Sequence, residues 1–276
     1  MFQRRGLEVT FREYEGGSLA LEALVNGGIE IAVCTEFALA LRSFARDNLR
    51  AIGTVATANN SELIARVDRG ILRPQDLEGR RVGVSRGMNT EFLLGSFLAF
   101  HGLRLEDSQI IDLRPSGLVA ALAAGEIDAA SLYPPFSYQA KARLGGQSLS
   151  WSTQGGQEYF FLLTTTTDLL EARSGAITSV LAAMLEAEAY LKRHNAGARE
   201  LLARKFQLAP EQLAERLAQI RFQVGLHQDL LTMMEDEAHW AVANGAVRAE
   251  EVPNLFQVLS LELLEKLKPE AVGVIH

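Results

Sequence analysis

ALAAGEIDAASLYPPF at residues 121–136 repeats the layout of ALVNGGIEIAVCTEF at residues 23–37, and this repeat decides the fold. At one constant offset Ala23 meets Ala121, Leu24 meets Leu122, Gly27 meets Gly125, Ile29 meets Ile127, Glu30 meets Asp128 and Ala32 meets Ala130. In each copy a run of helix formers stops at a glycine suited to a left-handed cap. An apolar strand follows within a few residues and ends in a polar or aromatic loop. The offset extends backwards, setting Ser18 opposite Ser116, each after a short apolar stretch (7–11 and 110–113). The pattern predicts two similar α/β lobes. Ligands of open α/β sheets sit beyond the carboxyl ends of strands, so the expected site is a cleft where such loops face each other.

Composition bounds the function. A chain of 276 residues, 48% hydrophobic, can bury one large core or two modest ones, and two lobes are expected. A net charge of −7 and the lack of a basic helix or aromatic–basic interleaving argue against nucleic acid as a partner. A single cysteine, Cys34, leaves no internal disulfide, CxxC pair or thiolate zinc site. The five histidines, His101, His194, His227, His239 and His276, have no metal-like spacing. Neither metal nor cofactor is expected. No stretch approaches the length of a membrane span, and Met1–Gly6 does not read as a secretion signal.

Taken in order, residues 7–14 (LEVTFREY) alternate apolar and polar side chains and predict a half-buried strand. Ser18 is placed to cap a helix over 19–26, and a strand is expected over 29–33. Further strands are expected over 49–55, 62–68, 81–85, 147–153 and 159–165, and helices over 38–46, 91–101 and 137–144, with Asn89 or Thr90 capping the helix over 91–101. The strand over 62–68 is read as leaving the first lobe and that over 159–165 as returning to it. Everything beyond Asp168 reads as helix, including 175–194, 198–206, 210–220, 226–244 and 251–267, a block expected to pack on the first lobe's sheet.

These residues resemble periplasmic solute-binding proteins of ABC importers, in the branch that handles nitrate, sulfonates, taurine and thiamine precursors. The likeness lies in GLEV at 6–9, the loop ending Glu36-Phe37, GILRPQDLEGRRVGVSRG at 70–87 and GEIDAASLYPPF at 125–136, with WAVANG at 240–245 and LKPEAVGVI at 267–275 in support. The resemblance implies a two-lobed type II periplasmic-binding-protein-like α/β fold, lobe one being 1–66 with 163–276 and lobe two 67–162. It implies a non-enzymatic protein that closes on a small organic ligand and hands it to a membrane permease, outside the cytoplasm. In that family a strand and a cleft loop precede the GLEV junction, whereas here the chain starts inside the intervening helix. Lobe one is therefore expected to be completed by repacking, by a neighbouring chain or by the C-terminal AVGVI segment, with a monomer expected and a dimer if a neighbour supplies the strand.

Seven residues are candidates for ligand contact: Ser18, Thr35 and Glu36 from the first lobe, and Ser85, Asn89, Thr90 and Tyr133 from the second. Glu36 at a strand's carboxyl end favours a cationic or hydrogen-bond-donating ligand unless Arg86 neutralises it. Tyr133 can stack on a planar ligand and donate from its hydroxyl. Each also has a structural reading, helix capping for Thr35, Glu36, Ser85, Asn89 and Thr90 and half-buried packing for Tyr133. Glu91 reads as a dipole-compensating residue, and Gly16-Gly17-Ser18 as a turn. Two other functions remain open: the ligand-sensing domain of a receptor, and a biosynthetic enzyme of the thiamine-pyrimidine or menaquinone type on the same scaffold. Cys34 and the helical Lys141, Lys192 and Lys205 give the enzyme reading little to work with.

Overall fold

Strand pairing sorts the chain into two sheets. The computed structural model describes residues 1–46 and 48–275; Asp47 and His276, the latter among the histidines considered above, lie outside the described residues. The strands are β1 (Ala32–Thr35), β2 (Leu49–Ala58), β3 (Glu62–Arg66), β4 (Arg81–Val84), β5 (Gln109–Asp112), β6 (Ala129–Leu132), β7 (Ser148–Ser152), β8 (Tyr159–Thr166), β9 (Ile220–His227) and β10 (Val272–Gly273). The helices through the middle of the chain are α1 (Gly17–Val25), α2 (Glu36–Ser43), α3 (Asn89–Phe100), α4 (Pro115–Ala124) and α5 (Phe136–Leu144). They are followed by α6 (Thr167–Ala172), α7 (Ser174–Arg193), α8 (Asn195–Phe206), α9 (Pro210–Ala218), α10 (Gln228–Ala243) and α11 (Glu262–Leu267).

The first unit comprises Met1–Ala58, Tyr159–His239 and Ala249–His276. Its sheet has the order β1-β8-β2-β9-β10. β8 lies antiparallel between β1 and β2, β2 antiparallel to β9, and β9 parallel to β10. Ile52 and Leu163 of this sheet pack on Ile177 and Leu181 of α7, so the long C-terminal block does cover the sheet. A second cluster joins Leu21 and Leu24 of α1, Leu39 of α2, Leu162, Leu226 and the α10 residues Leu230 and Met234.

The second unit comprises Asn59–Glu158 and Trp240–Arg248. Its sheet has the order β5-β4-β6-β3-β7, with β4 parallel to both β5 and β6 and β3 antiparallel to β6 and β7. Leu94, Phe97 and Leu98 of α3 pack with Val82 and Val84 in one cluster, while Leu118 and Leu122 of α4 pack with Ile64 and Ala130 in another. Because β4 and β6 run parallel as neighbours, the loops after them open on the same side.

The repeated glycines behave as their sequence contexts imply. Gly27 after α1 has φ +71° and Gly125 after α4 has φ +76°, the left-handed conformation glycine adopts without steric cost. The units divide after Ala58 and after Glu158, where the sequence placed the boundaries after 66 and 162. The reason is that β3, expected in the first lobe, pairs with β6 and β7.

Three local expectations are corrected, on residues 7–14, 220–227 and 251–267. Residues 7–14 form no strand: residues 8–14 are all exposed, Phe11 at 76%. Alternation yields a strand only beside a ladder partner, and β1 pairs with β8 alone among the described strands. The segment is held instead by a tilted Phe2–Phe11 contact and by Arg12, whose Nη1 donates to the Gly28 carbonyl at 2.9 Å. Residues 220–227 form β9 rather than part of two helices; Ile220, Phe222, Val224 and Leu226 alternate in the strand period, and β2 supplies the partner that fixes it. The C-terminal AVGVI segment contributes β10, which joins the sheet beside β9, at the opposite end from β1. Residues 251–267 are not one helix, since only Glu262–Leu267 is α-helical.

The second unit also depends on a close approach. A Cβ on Gly95 of α3 would collide with Cζ2 of Trp240 and stand 2.9 Å from its Cε2, and Trp240 meets Phe92 edge-on at 5.5 Å. Gly95→Ala is expected to cost about 1–3 kcal/mol by overpacking. Chemical denaturation of the variant followed by tryptophan fluorescence checks this; an unaltered midpoint would refute the contact.

Candidate functional site

In the second unit, the turns after β4 and β6 bring four of the seven candidates together. Parallel pairing of Val82 with Ala129 and of Gly83 with Ala130 sets the ends of β4 and β6 side by side. Tyr133, just after β6, reaches Met88, just before α3, with its hydroxyl 3.8 Å from the sulfur. Its ring meets Phe136 edge-on at 5.6 Å and is half-buried. Ser85 Oγ donates to the Leu113 carbonyl at 2.8 Å, which ties the β4 turn to the strand beside it.

Helix capping does not account for Asn89 and Thr90. The N-cap of α3 is Met88, with no side-chain cap bond. Glu91 does the work at this terminus: its Oε2 accepts the Gly87 N–H at 2.8 Å and its Oε1 accepts from Arg86 Nη1 at 3.2 Å. Burial pushes the Glu91 carboxyl up, while the Gly87 amide and Arg86 pull it back. Arg86, considered above as a counter-charge to Glu36, is thus engaged with Glu91. Asn89 Nδ2 and Thr90 Oγ1 are left buried with no hydrogen-bond partner among the described residues, as is Ser137 Oγ in the first turn of α5. Unpaired buried polar groups each cost about 1–3 kcal/mol, and native proteins retain few of them. Three at adjoining helix N-termini form a place that suits an anion with acceptor oxygens.

In the first unit, Gly17 lets the start of α1 sit directly on β1; a Cβ there would lie 2.6 Å from Cys34 Cα and 3.0 Å from the Thr35 amide nitrogen. Ser18 therefore belongs to the helix turn seated beside Thr35. It does not cap α1, whose N-cap is Gly16, and Thr35 occupies the N-cap of α2 without a side-chain cap bond. Glu36 is fully buried, and its Oε2 accepts the Phe160 N–H at 2.9 Å. Its Oε1 has no partner among the described residues, nor has Oε2 of Glu237 on α10. Burial pushes the Glu36 carboxyl up to about 8, against the pull of the Phe160 amide. Glu237 is raised well above the ordinary range by burial first and by the charge of Glu36 next. Cys34 packs beside this pair with Sγ 3.2 Å from Thr164 Oγ1; burial pushes its thiol up to about 12, so it is a packing residue rather than a nucleophile.

A family model described as NMT1/THI5 like matches residues 1–198. The chain belongs to the NMT1/THI5-like family. Brucella abortus (strain 2308) supplies a relative 29% identical over 146 residues, 53% of this chain and 44% of the relative, whose name gives binding but no ligand. The taurine-binding periplasmic protein of Escherichia coli (strain K12) is 27% identical over 130 residues, 47% of this chain and 40% of that protein. The chain thus spans less than half the length of these curated relatives.

Among solved structures, the alkanesulfonate-binding protein SsuA from Xanthomonas axonopodis pv. citri, bound to MOPS, superposes with a TM-score of 0.79 at 23% identity, covering 94% of this chain and 90% of that one. The desulfurization enzyme DSZB superposes at 0.60 and 17% identity, covering 87% of this chain and 85% of that one. These likenesses establish the periplasmic-binding-protein fold.

Within this NMT1/THI5-like chain, Glu237 is the buried carboxyl near Glu36 that sequence reading did not single out. Its signal was available: Leu230, Met234, Ala238 and Ala241 are the buried stripe of α10, and Glu237 falls on that stripe. Ser137 was hidden as a small polar residue behind Pro134-Pro135.

The carboxyl pair makes stability depend on pH. Glu36 holds its proton in the fold up to about pH 8 but would lose it near 4.5 when unfolded, so unfolding releases a proton in that window. Stability is then complete below the unfolded value and falls as pH rises, by about 1.4 kcal/mol per pH unit for such a group. Glu36→Gln is expected to melt higher than the unaltered protein near pH 8 and to lose that advantage near pH 5. Parallel melting curves at the two pH values check it, and an equal shift at both would contradict the assignment.

Proposed function

We propose that the chain is the solute-binding component of an ABC-type importer that works outside the cytoplasm, takes a small organic sulfonate and delivers it to a membrane permease. The observation that carries this reading is the trio Asn89, Thr90 and Ser137: two helix N-termini following neighbouring parallel strands, each with buried polar groups that have no hydrogen-bond partner among the described residues. A sulfonate oxygen accepts from such donors, and the positive ends of α3 and α5 favour its charge. Tyr133 beside them offers an aromatic wall and a hydroxyl for the organic part. Relatives named for taurine and for aliphatic sulfonates agree with this ligand class.

Two polar residues separate this reading from a purely structural one. Thr90→Val replaces a buried unpaired hydroxyl by a methyl of similar shape, so the free protein is expected to be as stable or slightly more so. The same change is expected to weaken alkanesulfonate binding roughly ten-fold, each 1.4 kcal/mol being a factor of ten. Thermal shift across a series of alkanesulfonates reads both effects at once, since a ligand held by the folded form raises the midpoint by mass action. Failure of every alkanesulfonate to shift the unaltered protein would remove the proposal.

A further inference from the structure

The helical block of the first unit leaves a cleft that the sulfonate reading does not use. α8 packs on α7 and on α9, and α9 packs on β9. Ala198 and Leu202 stand one turn apart on α8, Leu213 and Leu217 one turn apart on α9, and Ile220 and Phe222 share one face of β9. Ala198 and Leu213 are buried, but Leu202, Leu217 and Ile220 are half-buried and Phe222 is 37% exposed. The three apolar surfaces meet without closing and leave a cleft of about 150 Å³, open on one side. An apolar cavity of that order admits a benzene ring. Phe206, one turn beyond Leu202, extends the stripe and is 60% exposed. Apolar side chains grouped on a surface, rather than scattered singly, mark a place of contact.

The rim of this cleft is polar where α8 begins. Asn195 and Arg199 line it, one turn apart at a helix start whose first N–H groups have no helical acceptor and whose dipole favours negative charge. Arg204 further along α8 is paired with Glu200, and Lys192 of α7 with Glu188. Arg199 has no hydrogen bond or ion pair among the described residues. An exposed arginine costs nothing on its own; its place at the mouth of an apolar cleft is what carries the inference. Its guanidinium offers a planar fork of donors that fits a carboxylate.

We propose that the cleft between α8, α9 and β9 is a second small-molecule site, which takes a small aromatic carboxylate. The ring lies against Leu202, Leu217 and Phe222, and the acid group meets Arg199 and Asn195 at the rim. The site is built within the first unit alone and uses none of Asn89, Thr90 and Ser137. Because the guanidinium stands in water, the charge pair contributes modestly, and most of the affinity comes from taking the ring out of water. A neutral molecule with the same ring is therefore bound less well, but not excluded.

The test titrates the full chain with benzoate and with benzyl alcohol, followed by saturation-transfer NMR on the probe. Benzoate is expected to bind roughly three- to ten-fold tighter than the alcohol. Arg199→Gln, an exposed change that leaves the fold intact, should bring that ratio close to one. Leu217→Trp, first checked for cooperative melting, should fill the cleft and remove saturable binding of both probes; Phe222→Ala, which takes away one wall, should weaken both. Thr90→Val should leave benzoate binding unchanged, and Arg199→Gln should leave any alkanesulfonate binding unchanged. The proposal is overturned if benzoate shows no saturable binding to the unaltered protein, or if its binding survives both Arg199→Gln and Phe222→Ala. Loss of benzoate binding in Thr90→Val would overturn it too, since the probe would then sit in the second unit.

Discussion

Phe160 donates its backbone N–H to a carboxyl oxygen from another part of the chain, and the neighbourhood of that carboxyl in the first unit is arranged around the bond. β8 lies between β1 and β2, so its first residues sit beside the carboxyl end of β1. Glu36, the first residue after β1, reaches across to them. A carboxyl held there is removed from water by the helices on either side, and its proton affinity rises because its charged form loses hydration. The same burial raises the Cys34 thiol and, with the charge of Glu36, the carboxyl of Glu237. One backbone hydrogen bond therefore sets the position from which the electrostatics of the neighbourhood follow.

The second unit reaches its polar site by a different route. There the controlling feature is the parallel neighbourhood of β4 and β6, which brings two helix starts together. Glu91 and Met88 take over the termination of α3, which frees Asn89 and Thr90 from structural duty. A terminus satisfied by one residue leaves its neighbours able to meet something else. This contrast explains why the capping expectation failed there in a useful way: the residue types suited to a cap were present, but the cap was made elsewhere.

How far the sequence could be read depended on whether a partner was needed. The αβ repeat, its two glycine caps and the strands of the second unit follow from local pattern, and they appear close to where pattern puts them. Residues 7–14 and β9 both alternate in the strand period. Only β9 has a neighbour, β2, that turns the alternation into a strand, and nothing local distinguishes the two cases. Glu36 announced itself at a strand end, whereas Glu237 could be recognised only by noticing a carboxylate on an apolar helical stripe. Ser18, Thr35 and Ser85 lie at the strand ends and turns expected of them, and Ser85 spends its hydroxyl on the Leu113 carbonyl, unlike Thr90 and Ser137.

The indole of Trp240 resting on Gly95 has a bearing on how this molecule can be taken apart. The second unit draws on two separated stretches of chain, and the shorter one carries that indole. A gene fragment cut to residues 59–158 would encode every strand of the sheet yet leave the notch over α3 unfilled, with Phe92 stripped of its edge-on neighbour. Dissection by contiguous pieces would therefore yield a body with a hole the size of a bicyclic ring, and a faithful half-molecule needs a graft of the distant nine-residue stretch as well.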